Sequence, residues 1–334
     1  MKALKYIALV VFGFLWFLGC SRHTVVYLVD NGWIGDDFRY GDLYRLSNLS
    51  DYRVPVEKCS MPYKGAKVPV TLYLAGDSFT EEGRVNRDQY ATDRYFRSFV
   101  ADPQVPLERV PGKKILVIET VERHLRERFS EKPWMNWVEP SGTDPVAPVQ
   151  EPFSFRKLYA AIVDYEVPYR EEMHESVLFS SDFILKIKEL KADFNYRVFG
   201  RVDPKVNVLK GELVYDLDVA PGISSVYDTV SEEEIGRIVA HANATRRHYR
   251  SLGFDEVYLS VIPNKSSLLI RDEAAYNHLV ERVEAHPALE VPLISVWRAF
   301  AAGNYYRKGD SHWDCAGQKI WVDQVNSILK SAEN

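Results

Sequence analysis

The sequence predicts an α/β fold: three layers, α/β/α, around a mostly parallel sheet, with an inserted accessory region. Three observations carry this. Residues 70–80 form an apolar run that stops at Gly76-Asp77-Ser78-Phe79, the pattern of a buried strand ending in a tight turn. Residues 231–329 alternate between helical and strand character with short connections, which favours parallel strands covered by helices on both faces. A chain of 334 residues, 46% hydrophobic, is long enough to bury such a core.

The first 20 residues stand apart. Lys2 and Lys5 precede an apolar run from Ile7 to Leu18, short for a spanning helix and suited to an export signal. It ends in Phe17-Leu18-Gly19-Cys20, which resembles a bacterial lipobox. Cys20 would then be the lipidated first residue of the mature chain and tether it to a membrane. Ordinary secretion with cleavage nearby is the other reading. Both predict an exported protein of the cell envelope, and the first a lipid-anchored one facing the periplasm or exterior. Residues 21–334 are expected to form a single domain with an insertion at 131–230.

Within that body, residues 21–68 lack clear periodicity and read as a lead-in that wraps the fold, with a possible short strand at Thr24–Leu28. The first strand is expected at Val68–Leu74. Asp88–Val100 reads as a helix with interspersed aromatic residues, Lys114–Ile118 as a strand, and Glu119–Phe129 as a helix. Five prolines in 131–152 suggest an exposed connection. In the insertion, Phe153–Val163 and Ser176–Leu190 could be helices, and Phe194–Phe199 and Glu212–Asp218 strands. Ser231 and Glu234 form a capping-box pattern that opens a long helix to Leu252, ended by Gly253. Then follow a strand at Glu256–Ile262, a helix at Asp272–Ala285, a strand at Val291–Val296, a loop carrying Asp310-Ser311-His312-Trp313, and a closing helix from Cys315 to Leu329.

Composition narrows the function classes. A net charge of -5 gives no broad basic field, so no nucleic-acid partner is expected. The 20 Tyr and 7 Trp suit contact with flat ligands such as sugars, and equally an aromatic-rich core. Cys59 and Cys315 are too far apart in sequence for a structural-metal pattern; an oxidising compartment permits a bridge between them, and two buried thiols are the equal alternative.

The chemistry begins at Ser78, because ligands of open α/β sheets gather at the carboxyl ends of strands. A serine attacks an acyl carbonyl only if a base takes its proton, and the base needs a carboxylate to hold its tautomer. His312 lies in a loop two residues after Asp310, a spacing that lets the carboxylate reach one imidazole nitrogen and leaves the other for a serine. The other histidines have plainer accounts: His124, His241, His248 and His278 fall in predicted helices, His286 follows one, His174 lies in the insertion and His23 beside the lipidation site. The plainer reading of the trio is a capping turn at Asp77-Ser78 and a cap at Asp310.

Gly76-Asp77-Ser78-Phe79 resembles the nucleophile block of the SGNH (GDSL-like) hydrolase superfamily. Asp310-Ser311-His312-Trp313 resembles the aspartate–histidine–tryptophan block of one branch, the alginate O-acetylation proteins of the AlgJ/AlgX type and the related DHHW family. Glu119, Glu122 and Arg123 match the glutamate–arginine helix of those proteins. Lys210–Tyr215 and Pro263-Asn264-Lys265-Ser266 are similar to two blocks that precede their histidine loop. The order differs: here the serine comes first and the Asp-x-His last, as in ordinary SGNH esterases, which looks like a circular permutation. The resemblance implies an SGNH, flavodoxin-like three-layer fold and a Ser78–His312–Asp310 site. The Gly-x-Asn-Asp block that supplies an oxyanion asparagine in ordinary members is missing, and Asn264 is its candidate substitute. Ser78 N–H is the first oxyanion donor expected. Lys265 and Trp313 are candidate substrate contacts; Trp313 is favoured as a wedge for the His312 loop over a sugar platform. Glu119, Glu122 and Arg123 are read as structural support.

The expected function is serine-dependent transfer of an acyl group, often acetyl, from an acylated carbohydrate or polysaccharide, to water in an esterase or to a sugar hydroxyl in an O-acetyltransferase. No metal or organic cofactor is implied. The alternatives are a non-catalytic polysaccharide-binding or assembly protein that keeps the same shell, and a lipase-like esterase with a broad acyl pocket.

Overall fold

The computed structural model describes residues 2–19, 22–35, 38–100, 112–135, 177 and 180–333. In chain order, helices α1 (Lys2–Gly19), α2 (Arg22–Asp30) and α3 (Asp42–Ser47) precede strands β1 (Thr71–Gly76), β2 (Arg94–Phe99) and β3 (Lys114–Val121). Helix α4 (Glu122–Phe129) follows β3 directly, and α5 (Asp182–Phe199) precedes a hairpin of β4 (Val206–Leu209) and β5 (Glu212–Tyr215). Then come α6 (Glu232–Ser251), β6 (Glu256–Ile262), α7 (Lys265–Ile270), α8 (Leu279–Glu284), α9 (Trp297–Ala302) and α10 (Cys315–Glu333). Among the described residues no single helix is long and apolar enough to cross a membrane.

The chain divides into two compact units. One comprises residues 1–56 and 146–202, the other 57–145 and 203–334. Residues 21–56 of the expected lead-in are thus grouped with α5 rather than with the sheet, while its residues 57–68, and residues 203–230, placed in the insertion by sequence, belong to the sheet unit.

That unit is a three-layer α/β/α structure. Its four strands are all parallel, in the order β2-β1-β3-β6. Alternation along the strands supplies the two faces. Tyr73, Ala75, Leu116, Ile118, Val257 and Leu259 pack on one side against Ile235, Ile238 and Val239 of α6. Leu72, Leu74, Ile115 and Val117 pack on the other against Trp321, Val325 and Leu329 of α10. With both faces covered, β1 is buried at every residue, which explains its unbroken apolar character. Helix α6 begins as its capping box predicts, with Ser231 Oγ accepting from the Glu234 N–H at 3.1 Å.

In the other unit, α3 and the turn at Ser50–Tyr52 are fastened to α5 by polar contacts. Tyr44 Oη donates to Glu189 at 2.8 Å, and Ser50 donates to Asp193 through both N–H and Oγ.

Several local expectations are corrected. Thr24–Leu28 is helical, within α2. Asp88–Val100 is not a helix but a short turn at Arg87–Gln89 followed by β2. As an edge strand, β2 keeps Arg94 and Arg97 among its aromatic residues, and that spacing of three mimics a helix face. Phe194–Phe199 is the last part of α5, not a strand; its β-forming residues are carried by a helix that runs until Gly200, at φ 62°. The predicted helix at Glu119 starts three residues later, because β3 runs on to Val121. The helix at Asp272–Ala285 shrinks to α8, and Val291–Val296 makes one parallel bridge, Leu259 to Leu293, rather than a strand. Cys20, His174 and Phe153–Val163 lie outside the described residues.

Candidate active site

The site is built at the carboxyl ends of β1 and β3. β1 stops at Gly76, and Asp77 caps a short turn over Ser78–Thr80. Gly76 is there for lack of room: a Cβ would meet Thr80 Oγ1 at 1.9 Å and Glu119 Oε2 at 3.3 Å. The turn is held from below by Glu119, whose Oε2 accepts from the Asp77 N–H at 2.6 Å and from Thr80 Oγ1 at 3.0 Å. Arg97 on β2 donates to the Asp77 carbonyl at 2.9 Å. Ser78 alone of this turn is half-exposed while Asp77, Phe79 and Thr80 are buried.

Across from it, the loop before α10 presents His312. Its Nε2 lies 2.9 Å from Ser78 Oγ, and its Nδ1 lies 2.5 Å from Asp310 Oδ1. The same carboxylate oxygen accepts the His312 backbone N–H at 3.1 Å, so Asp310 holds both the ring and its peptide. With the ring proton on Nδ1, donated to Asp310, Nε2 is an acceptor for the serine hydroxyl. Arg84 Nη1 stands 3.6 Å and Arg307 Nη1 3.9 Å from Asp310 Oδ2, which favours the charged carboxylate at a buried position. Ser78, His312 and Asp310, 234 residues apart at the extreme, are thus brought into one hydrogen-bonded chain.

The loop is wedged in place. Trp313 is buried among Phe79, Phe300 and Trp321, with ring centroids 5.0 Å from Phe79. At 1% exposure it is a packing residue and has no face to offer a sugar. Phe79 touches His312 as well, at 4.7 Å between centroids, so the residue after the nucleophile supports the base. A disulfide between Cys59 and Cys315, with Cα atoms 5.3 Å apart, pins the start of α10 three residues after His312. Arg307 joins the two features: it donates to the Glu57 carbonyl at 2.6 Å and to Cys59 Sγ at 3.4 Å while facing Asp310.

Lys265 is placed in support rather than in substrate contact. It is buried, donates to the carbonyls of Arg307 and Lys308 at 3.0 and 3.3 Å, and pairs with Glu212 at 2.8 Å. The adjoining hydroxyl of Tyr306 donates to the Pro263 carbonyl. The two blocks 210–215 and 263–266 therefore brace the histidine loop.

Asn264 is at the end of β6, two strands from β1 and so about 10 Å to the side of it. Its Oδ1 accepts from the Arg123 N–H at 3.3 Å, and its buried Nδ2 finds no hydrogen-bond partner among the described residues. The Ser78 N–H donates to Asp77 Oδ1 at 3.0 Å, so the first expected oxyanion donor is engaged by a neighbouring side chain. The other Asp77 oxygen is 2.9 Å from Arg128.

Two buried acids frame the site. Burial, with the Asp77 charge beside it, pushes the Glu119 carboxyl up to about 8. Burial would raise Asp77 too, but the Arg128 guanidinium, the neighbouring His124 ring and the Ser78 N–H carry it below the ordinary range. Glu122 is pushed up to about 7 by burial, against hydrogen bonds from Ser267 and the Asn264 N–H. Glu119, Glu122 and Arg123 are thus placed in structural support, the role expected of them from the resemblance to a glutamate–arginine helix. Thr80, Arg84, Arg97, Arg128 and Arg307 were missed; of these, only Arg307, three residues before Asp310, left a trace in the sequence.

No protein-family model matches the chain, and no curated protein or solved structure does either.

Proposed function

We propose that this protein is a serine-dependent acyl-transfer enzyme acting on an acylated carbohydrate or polysaccharide, as an esterase or an O-acetyltransferase, at the bacterial cell envelope. The observation that carries the reading is the unbroken chain Ser78 Oγ, His312 Nε2, His312 Nδ1, Asp310 Oδ1, with steps of 2.9 and 2.5 Å. Ser78 Oγ attacks the acyl carbon as His312 Nε2 takes its proton. The C–O bond to the sugar breaks, the imidazolium returns the proton to the departing sugar oxygen, and the acyl group stays on Ser78. Water or a second hydroxyl then attacks the acyl-serine, losing its proton to His312; the bond from the acyl carbon to Ser78 Oγ breaks, and the imidazolium returns the proton to that oxygen. Asp310 holds the imidazolium throughout. For Ser78 N–H to bind the oxyanion, Asp77 Oδ1 must yield it. The resemblance of the Asp-x-His-Trp block to that of the alginate O-acetylation proteins supports a carbohydrate acyl ester as substrate. The apolar run ending at Cys20 supports export and a lipid anchor.

The test is incubation of the full chain with an activated acetyl ester, with and without a sugar acceptor. Wild type is expected to turn over and to show an acetyl adduct by intact mass, and Ser78→Ala to lose both. Acetylated acceptor above free acetate identifies a transferase; the reverse identifies an esterase. A folded wild type with neither adduct nor turnover on any ester would leave a non-catalytic polysaccharide-binding protein as the account.

A further inference from the structure

Helix α5 turns Glu189 and Asp193 inward and a row of apolar residues outward. Glu189 is buried, bonded to Tyr44 and 3.6 Å from Arg53. Asp193 accepts both hydrogen bonds of Ser50, and Asp182 accepts from Arg53 at 2.7 Å and Arg39 at 3.4 Å. The opposite side carries Phe183, Ile187, Leu190, Phe194 and Val198, at spacings of four, three, four and four that form one stripe. Their exposures run from 55% to 74%. At 100° per residue, Lys186 and Arg197 fall along one edge of this stripe and Lys191 along the other. All three are exposed.

The stripe is not an isolated feature. Among the described residues, the large exposed apolar side chains outside the unit of residues 1–56 and 146–202 are only Phe99, Met135, Leu217 and Ile223. The unit itself also bears Trp33 and Phe38 exposed, together with most of the large apolar side chains of α1. A surface of this kind on a soluble body marks a contact site. Its charge selects the contact. Glu189 and Asp193 are turned to their own unit. Lys191 is exposed along one edge of the stripe; along the other, Lys186 Nζ pairs with Glu189 at 3.1 Å and Arg197 Nη2 lies 3.9 Å from Asp51, yet both side chains stay more than half exposed on long aliphatic stems that can lie along an apolar surface. An apolar stripe bordered by Lys and Arg fits the headgroup boundary of an anionic bilayer.

We propose that α5 lies in the interfacial plane of a membrane containing anionic lipid, with Phe183, Ile187, Leu190, Phe194 and Val198 in the acyl boundary and Lys186, Lys191 and Arg197 at the headgroups. This docking is independent of the acyl-transfer reading. Because α1 is itself apolar, attachment to vesicles is not the readout; local lipid contact is. The full chain is reconstituted with phosphatidylcholine vesicles, with or without phosphatidylglycerol, carrying photoreactive benzoylphenylalanine in place of Phe194 or, as control, Leu217. Lipid adducts are expected at position 194, enriched by phosphatidylglycerol, and at background level at 217. The combined changes Lys186→Glu, Lys191→Glu and Arg197→Glu should cut the yield at 194 at least about fivefold. Adducts to a second copy of the chain, yields at 194 no higher than at 217, or yields indifferent to phosphatidylglycerol would each overturn the proposal. The comparison of 194 with 217 decides it even if the triple variant misfolds.

Discussion

At the residue scale, Asp310 does more than neutralise a charge. One of its oxygens receives both the His312 ring and the His312 peptide, and the other faces two guanidinium groups. Asp310→Asn keeps the shape but offers an amide that can leave the imidazole in the wrong tautomer, with Nδ1 as the acceptor. If acyl transfer runs through this chain, kcat should fall by roughly 10³–10⁴-fold while the Ser78–His312 distance is retained. Steady-state kinetics on an activated ester measures this, and a loss under tenfold would mean that Asp310 only shapes the loop. Ser78, Asp310 and His312 were legible because few residue types can do this chemistry. Their supports were not: nothing in the identity of Arg84 or Arg128 marks it from the exposed arginines elsewhere in the chain.

At the scale of elements, the His312 loop is held by pieces remote in sequence: the disulfide to Cys59, Lys265 from the start of α7, and Phe79 from the nucleophile turn. The disulfide closes a separation of 256 residues, so its loss frees a long stretch of the unfolded chain. Replacing both Cys59 and Cys315 by serine should lower the stability of the sheet unit by about 2–5 kcal/mol. Denaturant unfolding, compared with the wild type under reducing conditions, checks this, since reduction should bring the wild type to the variant and leave the variant unchanged. Where elements were misjudged in sequence, the cause was tertiary. β2 is a strand because β1 pairs with it, and Tyr95, Phe96 and Phe99 suit a strand by type; what suggested a helix was only their spacing. The tail of α5 is a helix because twelve residues of helix, 182–193, already precede Phe194 and extension is easier than a new start.

At the scale of the whole molecule, Glu119 and Glu122 couple stability to pH. Both have an ordinary value of 4.5, and burial raises them in the folded protein to about 8 and about 7. Below pH 4.5 both states hold these protons. As pH rises, the unfolded chain releases them while the folded chain retains them, so stability falls until about pH 8, beyond which these groups cause no further loss. The urea midpoint of wild type should decline across this window, and Glu119→Gln, which does not titrate, should decline less steeply. Equal slopes would show that Glu119 is already ionised in the fold.

The sequence by itself determined the layered α/β plan, the turn that carries Ser78, the Asp310–His312 pair and the apolar amino terminus. These follow from local patterns: periodicity that must match a buried strand or helix, and side chains whose chemistry is specific at short spacing. Tertiary structure alone decided that Ser78 and His312 meet, that Cys59 pairs with Cys315, that Trp313 is walled in and that the apolar stripe of α5 faces outward. Each of these depends on which surfaces the chain brings together over long separations, and no local pattern records that choice.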